Sequence, residues 1–116
     1  MRFFEGPPVL PPAAERVYSQ NFNRSDTLYI YWELSLVHPP PGQEQTLAIT
    51  AVYTLSSGTF FTLHGYISVI LASATNTTHV KGSGFSEAGQ WLAASYQVDL
   101  SVEGVLVARG TFQITE

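Results

Sequence analysis

The chain alternates between apolar and polar residues with a period of two over much of its length. Near its C-terminus Tyr96, Val98, Leu100 and Val102 alternate with polar residues. Such alternation is typical of a β-strand with one buried and one solvated face. No segment shows a sustained helical period, and Gly, Pro and Ser separate the alternating runs. The pattern predicts an all-β fold, an antiparallel two-sheet sandwich of about seven strands.

The strongest single strand is predicted over residues 28–37, where the even-numbered residues form an apolar face with Trp32 at its centre. Gly65 lies inside a long apolar run and predicts a bulge or a change of sheet there. Residues 73–78 are expected to form a polar loop, and residues 82–84 a flexible connection. Strands are predicted over residues 16–22 (an edge), 28–37, 46–55, 59–71 and 79–81, with two more between 91 and 114.

The last two strands are predicted to form a bulged hairpin. A two-residue turn at Glu103 and Gly104 would by itself turn Phe112 and Ile114 toward water, because a shift of one residue exchanges the two faces. A three-residue loop over residues 102–104 restores the inward face and places Gly104 in the left-handed conformation. The expected opposed pairs are Leu100 with Leu106, Val98 with Ala108 and Tyr96 with Gly110.

The segment Ala94-Ser95-Tyr96-Gln97-Val98 resembles the tyrosine corner of immunoglobulin-like (Ig-like) domains. The wider pattern W-x-x-x-x-Y-x-V-x-L-x-V-x-G, followed by x-F-x-I, resembles Ig-like accessory domains that are appended to larger bacterial proteins. The resemblance covers the last quarter of the chain. It implies an Ig-like or fibronectin-like sandwich in which the Tyr96 hydroxyl bonds the backbone. The expected structural core contains Trp32, Tyr96, Val98, Leu100 and Phe112.

The 116 residues are enough for one domain. Residues 1–14 contain four prolines and are expected to form an arm or a linker, followed by one sandwich domain over residues 15–116. The N-terminus lacks the apolar segment of a signal peptide, and no apolar run reaches the roughly 20 residues of a membrane span. These observations predict no membrane insertion and leave the compartment open.

Charged residues make up only 12% of the chain, about half the usual share. Either another domain or a second copy covers part of the surface, or Ser, Thr, Asn and Gln supply its polarity. The five basic residues are scattered, so no basic stripe favours nucleic-acid binding. The chain has no cysteine, so neither disulfides nor thiolate chemistry is expected.

No catalytic pattern emerges from the sequence. Gly82-Ser83-Gly84 lacks the spacing of a nucleophile elbow. The histidines His38, His64 and His79 each stand alone, without the close pairs that are typical of metal sites. The carboxylates are spread over different predicted elements. We therefore expect neither an enzyme nor a cofactor.

The leading hypothesis is a non-catalytic interaction module that associates with a protein partner or with its own copies. The candidate interaction surface comprises Tyr29, Tyr31, Tyr66 and Trp91. The same residues favour an alternative, a carbohydrate-binding sandwich that uses exposed rings as platforms. A further alternative is a small structural subunit of a filament or shell. As ordinary packing residues, the tyrosines would cover neighbouring strands and Trp91 would close one end of the sandwich.

Overall fold

The computed structural model describes residues 1–116 and confirms an all-β chain of two sheets, sandwich-like in arrangement. One sheet has three strands in the order β1-β3-β6, and the other has five in the order β2-β8-β7-β4-β5. The count is therefore eight strands, where about seven were expected. The strands are β1 Arg2–Gly6, β2 Asn21–Asn23, β3 Tyr29–Val37, β4 Gln45–Leu55, β5 Phe60–Ile70, β6 Asn76–Gly84, β7 Ala94–Val102 and β8 Val105–Thr115, and a 3-10 helix covers Ala13–Glu15.

The N-terminal segment contributes a strand to each sheet. The first, β1, pairs antiparallel with β3, although the sequence pattern placed it in an arm. The prolines begin only at Pro7, so Arg2–Gly6 keeps the backbone donors that a strand needs. The expected strand over residues 16–22 is wrong in extent, since β2 begins at Asn21. It is also parallel to β8, which corrects the expectation of a wholly antiparallel fold.

An aromatic core fills the space between the sheets. Tyr96 and Phe112 stack with ring centroids 5.0 Å apart, and the Trp91 ring meets Tyr96 edge-on at 5.4 Å. Phe3 of β1 reaches the same cluster and meets Phe112 edge-on at 5.2 Å. Such pairs add about 0.5–1.5 kcal/mol each beyond the apolar area that they bury. The residues that the sequence pattern placed in the core are all buried: Trp32, Tyr96, Val98, Leu100 and Phe112.

The C-terminal hairpin has a bulge, but its turn differs from the prediction. Glu103 and Gly104 form a two-residue turn with positive φ angles of 49° and 81°, so the three-residue loop was wrong. Two hydrogen bonds to Ala48 fix Glu103, the non-glycine residue, in this conformation. The Glu103 amide donates to the Ala48 carbonyl at 2.9 Å, and Glu103 Oε1 accepts from the Ala48 amide at 2.8 Å.

The register shift of this hairpin lies in the strand, beside Leu100 and Ser101. Leu106, which was expected to face inward, is exposed because it precedes the shift. Beyond the shift Phe112 and Ile114 face the core, as the face argument required. The observed pairs are Leu100 with Ala108, Val98 with Gly110 and Tyr96 with Phe112, so the expected pairs were wrong by two residues.

Strand β6 begins at Asn76 and runs to Gly84. The predicted loop over 73–78 was therefore wrong from Asn76 onward, and the flexible connection over 82–84 was wrong throughout. The glycines serve close packing here. A Cβ on Gly82 would lie 2.5 Å from Cδ1 of the Tyr31 ring, and one on Gly84 would overlap the carbonyl oxygen of Leu28. Both positions therefore require glycine, whose sequence signal resembles that of a turn.

Gly65 is also a regular strand residue, opposite Thr50 of β4, so the predicted bulge was misplaced. The β4–β5 register shifts beside Tyr53 and Thr54 instead, where Phe61 is the extra residue. Phe61 packs toward the core and stacks on Trp91 with ring centroids 5.6 Å apart.

Candidate interaction surface

The structure does not bring the four predicted aromatic residues together on an exposed surface. Trp91 is fully buried, and its indole N–H donates to the Leu28 carbonyl at 2.9 Å. Tyr31 is buried as well, whereas Tyr29 and Tyr66 are half-buried. The predicted surface is therefore wrong at Trp91 and Tyr31, and the exposed platform expected of a carbohydrate site is lost with them.

Tyr31 is buried because the N-terminal segment folds over the outer face of the three-stranded sheet. Its ring stacks on Phe4 with centroids 5.1 Å apart, and its hydroxyl donates to the Pro7 carbonyl. Tyr18 meets the Phe4 ring edge-on at 5.6 Å, and the Arg16 guanidinium lies 5.1 Å above that ring. A second small cluster thus covers a face that period-two alternation assigned to solvent.

Glu33 is the charged centre of this cluster. Its carboxylate accepts hydrogen bonds from the Tyr18 hydroxyl at 2.9 Å, from Arg16 at 3.2 Å and from Arg2. Burial alone would raise the pKa of Glu33, but the hydrogen bonds from Tyr18 and Arg2 and the two positive charges together lower it. With its acceptor positions occupied by donors of the same chain, Glu33 fastens the N-terminal segment to the sheet.

Two histidines connect the sheets across the gap between β5 and β6. His64 Nε2 lies 2.9 Å from the Ser83 hydroxyl, and His79 Nδ1 lies 3.1 Å from the Ser68 hydroxyl. Burial lowers the pKa of His79, and the nearby Lys81 and His38 lower it further. Neither imidazole is hydrogen-bonded to a carboxylate, the group that would orient a catalytic base. No group of three or more His, Cys, Asp or Glu is placed to hold a metal ion.

The two largest cavities have the same volume, and neither has a carboxylate, lysine or arginine in its lining. One of about 420 Å³ opens at an end of the sandwich, between Leu36, Leu47 and Ile70 and beneath the proline loop over 39–41. Its lining includes His38 and His79 but no carboxylate, lysine or arginine.

No helix of the structure has the length and apolar character that a membrane span requires.

The outer face of β5 is the least polar exposed part of the five-stranded sheet. Leu63, Ile67 and Val69 point outward and are 53%, 68% and 52% exposed. Gly65 lies among them, and the four residues Leu63, Gly65, Ile67 and Val69 are called the β5 row below. No charged residue occurs between Phe60 and Ile70. The outward-pointing residues of the neighbouring strand β4 are also uncharged: Thr46, Ala48, Thr50, Val52 and Thr54.

Strand β5 is also an edge of its sheet. A bulge at Phe61 interrupts its first residues, but no proline, charge or covering segment protects the rest, unlike the other three edges. Ser19 covers β1 by donating its amide to the Phe3 carbonyl at 2.9 Å. Strand β2 is only three residues long. Lys81 of β6 lies opposite the buried Trp32, and its Nζ is 5.6 Å from the Tyr66 ring centroid, so this edge carries a charge. By contrast, β5 offers eleven residues without a proline or a charge.

The sequence pattern did not single out β5 because its apolar residues occupy the outer parity. The inner parity carries Thr62, His64, Tyr66 and Ser68, which meet β6 through the histidine–serine bonds. The sequence nevertheless contained a signal for this surface. Leu63, Ile67 and Val69 share one parity, so they lie on one face of the strand.

Comparison of the chain with protein-family models, with curated proteins and with solved structures found no match in any of the three. Its function is therefore inferred from its own surfaces, and the most distinctive of these is the uncharged β5 edge with the β5 row.

Proposed function

We propose that the chain is a non-catalytic Ig-like module that associates with copies of itself through β5. The strand order supports the Ig-like part. Ig-like sandwiches place strands A, B and E in one sheet and C, F and G in the other, and some add a strand C′ beside C. Taking β3, β4, β6, β7 and β8 as B, C, E, F and G makes β1 strand A and β5 strand C′.

The tyrosine of β7 supports the same assignment. Tyr96 lies near the start of this strand, and its hydroxyl donates to the Leu92 carbonyl four residues earlier, at 2.7 Å. A hydrogen bond of this kind, from a tyrosine near the start of strand F to the backbone just upstream, is the tyrosine corner of Ig-like domains. Val98 then occupies the buried position two residues later.

The observation that carries the interaction part is the long, uncharged and unprotected edge of β5. Exposed edges of this length pair with further strands unless prolines, charges or covering segments prevent it. The low charge of the whole chain, 12%, agrees with a surface that is covered in the assembled state. A second copy is the simplest cover, because two identical uncharged strands bring no like charges together.

Light scattering over a concentration series tests the proposal. We expect the mass to rise from 12.7 kDa toward twice that value with increasing concentration. Ile67→Lys, which puts a charge in the middle of the β5 row, is expected to stay monomeric at the same concentrations. Val37→Lys is the matched control, because Val37 is 86% exposed on β3 of the other sheet and should leave the association unchanged.

A wild-type mass of 12.7 kDa at every concentration would contradict self-association. Equal loss of association in both lysine variants would also contradict the proposal, because it would place the contact away from β5.

A further inference from the structure

We propose that the two copies join by antiparallel pairing of β5 with β5 of the second copy, centred on Gly65. The two five-stranded sheets would then form one continuous sheet across a two-fold axis. This inference rests on the proposed self-association and adds its geometry, the strand that makes the contact and the residue on the axis.

The register is centred on the middle of the strand. Gly65 is the midpoint of Phe60–Ile70, and pairing about Gly65 overlaps Thr62–Ser68, seven residues beyond the bulge at Phe61, in both copies. The choice of this centre over neighbouring ones rests on Gly65 itself. In this register Leu63 lies opposite Ile67 of the second copy, and Ile67 opposite Leu63. Both pairs lie on the outer face, where cross-strand apolar contacts stabilise a sheet.

Gly65 has no explanation within a single copy. Its backbone is not in the left-handed region, and a Cβ placed on it would meet nothing within 4 Å. Neither a turn nor close packing inside the chain therefore requires glycine at this position. A glycine inside a strand weakens the strand, and it often marks a place where another backbone approaches closely. In the proposed register Gly65 is the residue that lies opposite its own copy, so the two glycine backbones face each other without side chains between them.

The arrangement of charges and edges favours a closed pair over a longer assembly. The pairing brings no charged side chain of β5 next to its own copy, because β5 has none. The edges of β1, β2 and β6 are covered, short or charged, so each copy offers one edge for pairing. An interface in which each copy uses the same surface closes after two copies.

Disulfide trapping tests this geometry, because the chain has no cysteine of its own. In the proposed register, the thiol introduced by Gly65→Cys lies opposite its own counterpart in the second copy. The Cα separation would be the roughly 4.5–5.5 Å of antiparallel pairs, which suits a disulfide. Phe60→Cys is the matched control on the same strand. Its counterpart in the second copy would lie ten residues along the strand, roughly 33 Å away. Both positions are exposed, so both variants are expected to fold.

Under mild oxidation, at a concentration where light scattering shows dimers, we expect Gly65→Cys to form a disulfide-linked dimer at least ten times faster than Phe60→Cys. Equal rates, or faster linking at position 60, in a protein that is dimeric would overturn the β5 register and leave the proposed self-association standing. A chain that stays monomeric throughout would overturn both. Assemblies of more than two copies in light scattering would contradict the closed pair.

Discussion

Two buried tyrosines differ in the hydrogen bonding of their hydroxyls, and the difference makes opposite predictions for the same chemical change. Tyr53 and Tyr96 are each 1% exposed, and both rings lie in the core. The Tyr96 hydroxyl donates to the Leu92 carbonyl at 2.7 Å, whereas neither the Tyr53 hydroxyl nor the neighbouring Trp32 indole N–H makes a hydrogen bond of normal geometry. Substitution by phenylalanine removes the hydroxyl and leaves the ring in place, so each variant isolates the contribution of one oxygen atom.

The structure gives the sign and the size of each effect. Tyr96→Phe loses a hydrogen bond and leaves the Leu92 carbonyl without this donor, so we expect a loss of about 1–2 kcal/mol in the free energy of unfolding. Tyr53→Phe removes a polar atom that is buried without compensation, and we expect no loss or a gain of about 1 kcal/mol. The two variants should therefore differ by roughly 2–3 kcal/mol, although they change the same group.

Burial also raises the pKa of Tyr53, and the neighbouring Tyr66 adds to the effect while the Trp32 indole N–H opposes it; on balance the pKa is raised, so the hydroxyl stays neutral. The assay is urea denaturation of wild type and both variants, with the slopes m compared to confirm that the unfolded states are alike. If Tyr53→Phe destabilises the protein as much as Tyr96→Phe, the Tyr53 hydroxyl has a partner and the reasoning is refuted. An unchanged midpoint for Tyr96→Phe would remove the tyrosine corner.

Two further predictions concern the second small cluster, in which the N-terminal segment covers Tyr31 and Glu33. The pKa of Glu33 is lowered from 4.5, so the stabilisation is complete above that value and is lost as pH falls through the folded-state pKa. Between about pH 5 and pH 3 the urea midpoint of wild type should fall more steeply than that of Glu33→Gln, and parallel curves would contradict the assignment. Gly82→Ala places a Cβ 2.5 Å from the Tyr31 ring and should cost about 1–3 kcal/mol in the same assay. A neutral result would mean that the ring moves freely.

The strands and the aromatic core could be predicted because their signals are local. Alternation over β3, β7 and β8 identifies the inward residues from neighbours along the chain, and Trp32, Tyr96 and Phe112 followed from it. The hydrogen bond from Tyr96 to the backbone was equally readable, since it spans only four residues. A pattern that is complete within about ten residues needs no knowledge of the strand order.

The N-terminal cover could not be predicted, because it depends on contacts far apart in the chain. Phe3 and Phe4 are adjacent and both buried, one in the core between the sheets and one under Tyr18. A strand covered on both faces shows no alternation. Glu33 is buried only because Arg2, Arg16 and Tyr18 arrive from elsewhere in the sequence. Its alternation with Trp32 therefore indicated the solvated face, which the N-terminal segment covers.

The candidate site was hidden for a related reason. Alternation shows which residues of β5 share a face, but the direction of that face depends on which strands lie beside it. In this fold the parity with Leu63, Ile67 and Val69 points away from the other sheet, and the polar parity forms the bonds to β6. Likewise, β5 lies at an edge because it pairs with only one strand, β4. That is a property of the strand order and is not visible in the residues of β5 themselves.

The distribution of charge connects these features. Four of the five basic residues are in ion pairs, and two of these pairs fasten the N-terminal segment to Glu33. Arg109 pairs with Asp99 on the β7–β8 half of the outer face, and Lys81 lies against Tyr66 at the β6 edge. Three of these ion pairs thus hold down the N-terminal segment or lie on the β7–β8 half of the large sheet, and Lys81 lies at the β6 edge. Strands β4 and β5 contain no charged residue, so the outer surface that these two strands form has no charged side chain of its own. A surface of that kind is expected to be covered, and β5 is the part of it with free backbone groups for a partner strand to bind.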